Sequence, residues 1–132
     1  MIAYKVLRIR NGERVSLHTP APYRILYRQG EFYNGVFAFN GLEYAMAYAN
    51  AFEGIDVEVW ECHVREMKEL VWALPTESLA VASYDEFLAA QRKLLTDGHS
   101  DALAPPYAAA APAGTVLCSG LVLSRLIVGE RK

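Results

Sequence analysis

Hydrophobic and polar positions alternate with two different periods along this chain. From Ile2 to Arg10 the β-formers Tyr4, Val6, Leu7 and Ile9 dominate, and the alternation slips one place between Val6 and Leu7, as a β-bulge would make it. Asn11-Gly12 is a tight-turn dipeptide, and Val15 to His18 reads as a short second strand. The following Thr-Pro-Ala-Pro run ends that strand, because proline cannot donate to a ladder. From Tyr23 to Arg28 the alternation is clean: Tyr23, Ile25 and Tyr27 share one face, and Arg24, Leu26 and Arg28 the other. That predicts a half-buried strand with a basic outer face. Val36 to Phe39 is a short apolar strand after Gly35.

The period then changes. Leu42, Ala45, Met46, Ala49 and Phe52 recur at helical spacing, with Asn40 placed to cap, Glu43 three residues on, and Gly54 as the stop. Ile55 to Val64 returns to strand character, and its phase slips near Trp60; a bulge or burial on both faces accounts for that. A further strand is expected around 70–74. Ser83 and Glu86 form a capping box ahead of the apolar face Tyr84, Phe87, Leu88, Leu94 and Leu95, with acids at the start and Arg92 and Lys93 near the end, as the helix dipole favours. Residues 99–114 are rich in Ala and Pro and predict a mobile loop. Thr115 to Val128 is apolar and β-branched, broken at Gly120, and reads as one or two strands. The expected fold is α+β: a mainly antiparallel twisted sheet of five to seven strands with two helices, about 41–53 and 84–97, on one face.

The bulk properties keep this picture within one domain. The chain has 132 residues, of which 53% are hydrophobic and 21% charged, enough to build one core and too apolar for general disorder. Two cysteines, Cys62 and Cys118, sit in apolar runs and read as buried reduced thiols. Lys5, Arg8 and Arg10 interrupt the opening residues where a secretory signal would be apolar, and no apolar run reaches the roughly 18 residues of a membrane span, so a cytoplasmic location is expected. Charge is uneven: residues 1–28 hold six bases against Glu13, while 31–101 hold thirteen acids against four bases. Such asymmetry provides surfaces of both signs.

Gly35 to Tyr48, GVFAFNGLEYAMAY, resembles a G-[IF]-H-x-F pattern followed by an acidic residue, Ala and Tyr, found in small phage and bacterial proteins and in a domain that precedes some pentapeptide repeats. Those chains also open on a strand like Ala3-Tyr4-Lys5 and close on one like Val116 to Leu123, although Phe37 stands where they carry His. The resemblance implies a mobile-element protein. A second stretch of residues is similar to mono-ADP-ribosyltransferase-like folds: Leu17-His18-Thr19, then Gly35 to Phe39 with Ala47-Tyr48-Ala49, then Glu58 or Glu61. That likeness implies NAD as cofactor, His18 holding the nicotinamide ribose, Tyr48 against the ring, and a carboxylate stabilising oxocarbenium-like charge. The Gly that those folds place between His and Thr is missing here.

Other chemistry is weaker. His63 adjoins Cys62, and neighbours on a strand point to opposite faces, so the two do not share a metal, and no metal site is expected. Glu61 and Glu66 flank Cys62 and oppose thiolate formation. Arg8, Arg24 and Arg28 interleave with Tyr23, Tyr27 and Tyr33, a mixture that stacks single-stranded nucleic acid, but the chain as a whole is acidic at −2. Arg and Tyr are equally the anchors of protein interfaces. The leading expectation is therefore a binding protein with a protein partner and no cofactor, the alternatives being an ADP-ribosyltransferase-like NAD-binding enzyme and a single-stranded nucleic-acid-binding module. Its most specific form is an anti-CRISPR-like inhibitor of a host defence complex. Arg8, Arg24, Tyr27, Arg28 and Tyr33 are the candidate contacts.

Overall fold

The computed structural model describes residues 1–17, 25–69, 72–73, 109–110 and 112–129. The strands are β1 (Ile2–Arg10), β2 (Glu13–Ser16), β3 (Phe32–Tyr33), β4 (Val36–Phe39), β5 (Val57–His63), β6 (Glu66–Glu69), β7 (Trp72–Ala73), β8 (Ala109–Ala110), β9 (Thr115–Ser119) and β10 (Leu121–Val128). One helix, α1 (Leu42–Asn50), lies among the described residues, so the fold there is sheet-rich α+β. The expected helix at 84–97, with its Ser83 capping box, lies outside them.

The main sheet runs β3-β10-β5-β1-β4-β9-β6, with β2 also paired to β1, and every pairing is antiparallel. Three stretches of chain enter this order twice. β3 and β4 are separated only by Asn34 and Gly35, β5 and β6 only by Val64 and Arg65, and β9 and β10 only by Gly120. In each case the two halves stand four places apart in the order. A flat sheet would separate them by roughly 19 Å. One or two linking residues reach about half that distance at most. The sheet must therefore roll up, each bent strand turning a corner and serving both layers, and one face is turned inward.

The three corners meet. Asn34 Oδ1 accepts the Gly120 N–H at 2.7 Å and the Ser119 hydroxyl at 3.2 Å, while Gly35 N–H donates to the Cys118 carbonyl and Arg65 N–H to the Ser119 carbonyl, both at 2.9 Å. Gly120 has φ +68° and a Cβ there would stand 2.8 Å from the Cβ of Arg65, so the corner admits no side chain.

Rolling explains both phase slips. β1 pairs with β5 without interruption from Ile2↔His63 to Arg8↔Val57, so the β1 bulge expected from the sequence is absent. Val6 and Leu7 are both buried because the sheet is covered on both faces. Leu7 joins the inner cluster with Ala3, Trp60, Cys62, Cys118, Leu121 and Leu123, while Val6 joins Phe39, Val59, Ala45 and Ala49 under the helix. The same division separates Val57 and Val59 from Trp60 and Cys62. The irregularities lie instead in β10, between Leu123 and Arg125 and between Leu126 and Val128.

Helix α1 is shorter than its periodicity suggests. It is capped by Gly41 in extended conformation, not by Asn40, whose backbone N–H is taken by the Gly114 carbonyl at 2.9 Å. It closes at Ala51, with i→i+3 bonds from Ala51 and Phe52 tightening the end well before Gly54. Ala45 and Ala49, 0% and 6% exposed, are small enough to bring the helix close onto Val6 and Val59. The 23–28 strand is reduced among the described residues to a bridge, Val15↔Leu26, flanked by bonds from Ser16 N–H to the Ile25 carbonyl and from Tyr27 N–H to the Arg14 carbonyl. Within the run expected to be a mobile loop, Ala109–Ala110 pairs with Trp72–Ala73 as strand.

Candidate functional site

Strand parity decides what each face carries. On β1 the odd residues Ala3, Lys5 and Leu7 look inward, opposite Cys62, Trp60 and Glu58 of β5, and Arg14 of β2 lies opposite Ile9 on that same face. Among the described residues the inner face thus holds Lys5, Arg14 and Glu58 as charged side chains among apolar ones. Glu58, 8% exposed, accepts from Arg14 Nε at 2.7 Å and from the Trp60 indole N–H at 2.8 Å, both at Oε1. The Arg14 guanidinium also lies 4.9 Å over the Trp60 ring. Through Oε1, Glu58 holds β2 against β5.

Lys5 is placed differently. One flank of β1 is paired to β5 from Ile2 to Arg8; the other is shared, with β4 meeting it at Tyr4 and β2 from Leu7 to Arg10. Lys5 and Val6 fall at the seam between them. The amine donates to the Phe37 carbonyl of β4 at 2.5 Å and sits 5.3 Å over the Tyr27 ring. No carboxylate reaches it among the described residues. Burial among apolar groups lowers its pKa from 10.5 to about 8, against the smaller opposing influence of the Cys118 and Cys62 thiols. Cys62 and Cys118 are unpaired and fully buried; desolvation pushes the Cys62 thiol up to about 12 and the Cys118 thiol to about 11, which makes both poor nucleophiles.

The outer face carries the second candidate region. Phe32 on β3 lies opposite Val122, Val122 opposite His63, and His63 opposite Ile2, so these four form one row across β3, β10, β5 and β1. Phe32 is 68% exposed and Ile2 37%. The turn ahead of β3 is braced: the Tyr33 hydroxyl accepts the Arg28 N–H at 2.5 Å and lies 3.2 Å from the Glu31 carboxylate, and its ring packs on Tyr27 at 4.5 Å. Arg28 and Glu31 pair at 3.7 Å with exposed side chains.

The residues singled out in the sequence are dispersed by this arrangement. Of the five expected contacts, Arg28 is exposed and Tyr33 half-buried in the braced turn. Tyr27 is 2% exposed and belongs to the inner cluster, so it is not a surface contact. Arg8 lies half-buried on the helix-bearing face of β1, and Arg24 is outside the described residues. Of the NAD-site residues, His18 is outside the described residues, and Tyr48 packs against Phe39 and Phe52 at 5.1 and 5.0 Å under the helix. Glu58 points to the opposite face of β5, so Tyr48 and Glu58 do not converge. Glu61 is paired with Arg125 at 3.1 Å. Among the described residues no three His, Cys, Asp or Glu side chains gather as a metal site requires, and no helix is long and apolar enough to cross a membrane.

No family model matches the chain, and no curated protein or solved structure is significantly similar to it.

The regions that sequence reading passed over are Lys5, Arg14 and Phe32. Lys5 was recoverable: it shares a strand face with Ala3, Leu7 and Ile9, and a lysine on an apolar face is a signal. Phe32 was not, because its exposure depends on β3 pairing with β10, ninety residues away in the chain.

Proposed function

We propose that the protein acts by binding another protein, through the outer row that begins at Phe32. The observation that carries this is a large aromatic side chain, 68% exposed, on a two-residue strand at the end of the sheet order. An exposed ring of that size beside Arg28, continuous with Val122, His63 and Ile2, has the composition of an interface anchor with a polar rim. The row spans roughly 15 Å across four strands. The braced turn lowers the entropy lost when a partner orders it. The resemblance of Gly35 to Tyr48 to phage and bacterial proteins makes a host defence complex the more specific partner class, with an anti-CRISPR-like inhibitory role in the cytoplasm.

The test is affinity capture with the intact chain and its Phe32→Glu and Arg28→Glu variants, read by quantitative mass spectrometry. A partner retained by the parent should fall at least tenfold with Phe32→Glu and less with Arg28→Glu, with all three chains equally folded by circular dichroism. Equal capture by the folded Phe32→Glu variant overturns the assignment of this surface.

A further inference from the structure

The interior contains a nucleophile that the binding surface does not use. Lys5 is the one inward-facing lysine among the described residues, and its placement at the β1 seam sets it apart from a lysine that lays its stem on apolar surface and keeps its ammonium in water. Its amine is turned into the sheet: it meets a backbone carbonyl and an aromatic face, and no carboxylate, among the described residues. The residue nevertheless keeps part of its surface accessible to solvent. The seam gives a reason, since β4 and β2 leave Lys5 between them without a backbone partner on that flank. Around the amine the chain provides flat aromatic walls: Tyr27 beneath it, Tyr33 against Tyr27, and Trp60 directly across from Lys5 on β5.

We propose that Lys5 is a carbonyl-capturing amine, forming an imine with a small uncharged aromatic aldehyde that enters at the seam between β4 and β2. The Nζ lone pair adds to the carbonyl carbon, a proton moves from nitrogen to oxygen to give a carbinolamine, and loss of one water leaves the C=N bond. No oxidant or reductant is consumed. The aromatic walls favour a flat ring over an aliphatic chain. Burial also supplies the neutral amine that the addition needs. With the pKa at about 8, roughly a quarter of Lys5 is unprotonated at pH 7.5, against about a thousandth for an ordinary lysine. The lower basicity gives back part of that advantage.

The test uses benzaldehyde as probe on the intact folded chain at pH 7.5, with cyanoborohydride to reduce the imine, and peptide mass spectrometry to read labelling at each of the four lysines. Lys5 is expected to label about tenfold faster than Lys68, a lead that narrows as the pH is raised toward about 10.5, where an ordinary lysine is also half neutral. Lys5→Met should remove the labelled peptide while circular dichroism stays that of the parent. Labelling of Lys5 no faster than Lys68, or only after urea unfolds the chain, overturns the proposal and leaves Lys5 as the donor that closes the seam on Phe37.

Discussion

The inner face around Glu58 and the outer row around Phe32 use the same residue types for opposite ends. Each has an arginine, a carboxylate and an aromatic side chain in contact, drawn from strands 44 residues apart in the one and from a single turn in the other. Inside, Arg14 and Trp60 both donate to one Glu58 oxygen, and the cluster ties two strands together. Outside, Arg28, Glu31 and Tyr33 satisfy one another within a single turn and leave Phe32 with nothing to cover it among the described residues. The difference teaches where charge and aromatic character contribute to stability and where they contribute a surface. A buried carboxylate must be paid for by its donors, and removing it orphans them. An exposed ion pair of the Arg28–Glu31 kind adds little to folding.

The largest expected effect is at the inner cluster. Glu58→Ala should cost about 3 kcal/mol in urea unfolding, because the Trp60 N–H and a partly covered guanidinium both lose their acceptor. Glu58→Gln, which keeps an acceptor oxygen, should recover more than half of that. A loss under about 1 kcal/mol in the alanine variant would erase the contrast between the two regions.

Next is the corner. Asn34→Ala should cost about 1–2 kcal/mol, since it leaves the buried Gly120 N–H without an acceptor where three bent strands meet. Unchanged stability would mean that the corner is held by its backbone bonds alone.

A smaller effect, of about 1 kcal/mol, is expected from pH. Between about pH 8 and 9 the unfolded chain keeps its Lys5 proton, with pKa 10.5, while the folded chain releases it, with pKa about 8. The unfolded state then binds more protons, so stability rises with pH. Above about pH 9 the unfolded thiols of Cys62 and Cys118 ionise while the folded ones, raised to about 12 and 11, stay protonated, so stability falls. Thermal melts should show a maximum near pH 9, and Lys5→Met should abolish the rise while leaving the fall. A parent chain whose stability declines steadily from pH 7 would contradict the buried placement of the amine.

The local elements were legible where local chemistry sets them. β1, β4, β5 and the paired strands after Thr115 follow from β-branched composition, and Asn11-Gly12 turns the chain as expected, with Asn11 at φ 53°. Rolling was not legible. The slips at Val6–Leu7 and at Trp60 record a strand buried on both faces, but a bulge produces the same pattern, and only the four-place recurrence of the bent strands separates the two. The same gap explains the site residues. Tyr27 and Arg28 are neighbours with alternate parity, and which of them faces water depends on Tyr27 meeting Tyr33 and Lys5 inside. Glu58 and Glu61, three apart on a strand, point to opposite faces, which parity alone foretold.

The central claim is that the Phe32 row is a surface kept for a partner and not part of what holds the fold. Stability and contact are read together by placing benzoylphenylalanine at position 32 in one chain and at position 44 in another, since Tyr44 is also exposed, at 40%, but is carried by the helix that packs over β1, β4 and β5 and is not part of the Phe32 row. Both chains should melt within about 1 °C of the parent, as expected for substitutions at exposed sites. On irradiation in lysate, position 32 should give a discrete crosslinked protein that Arg28→Glu weakens, and position 44 should not give that product. The same product from both positions, or a chain with position 32 replaced that no longer folds, would contradict the account.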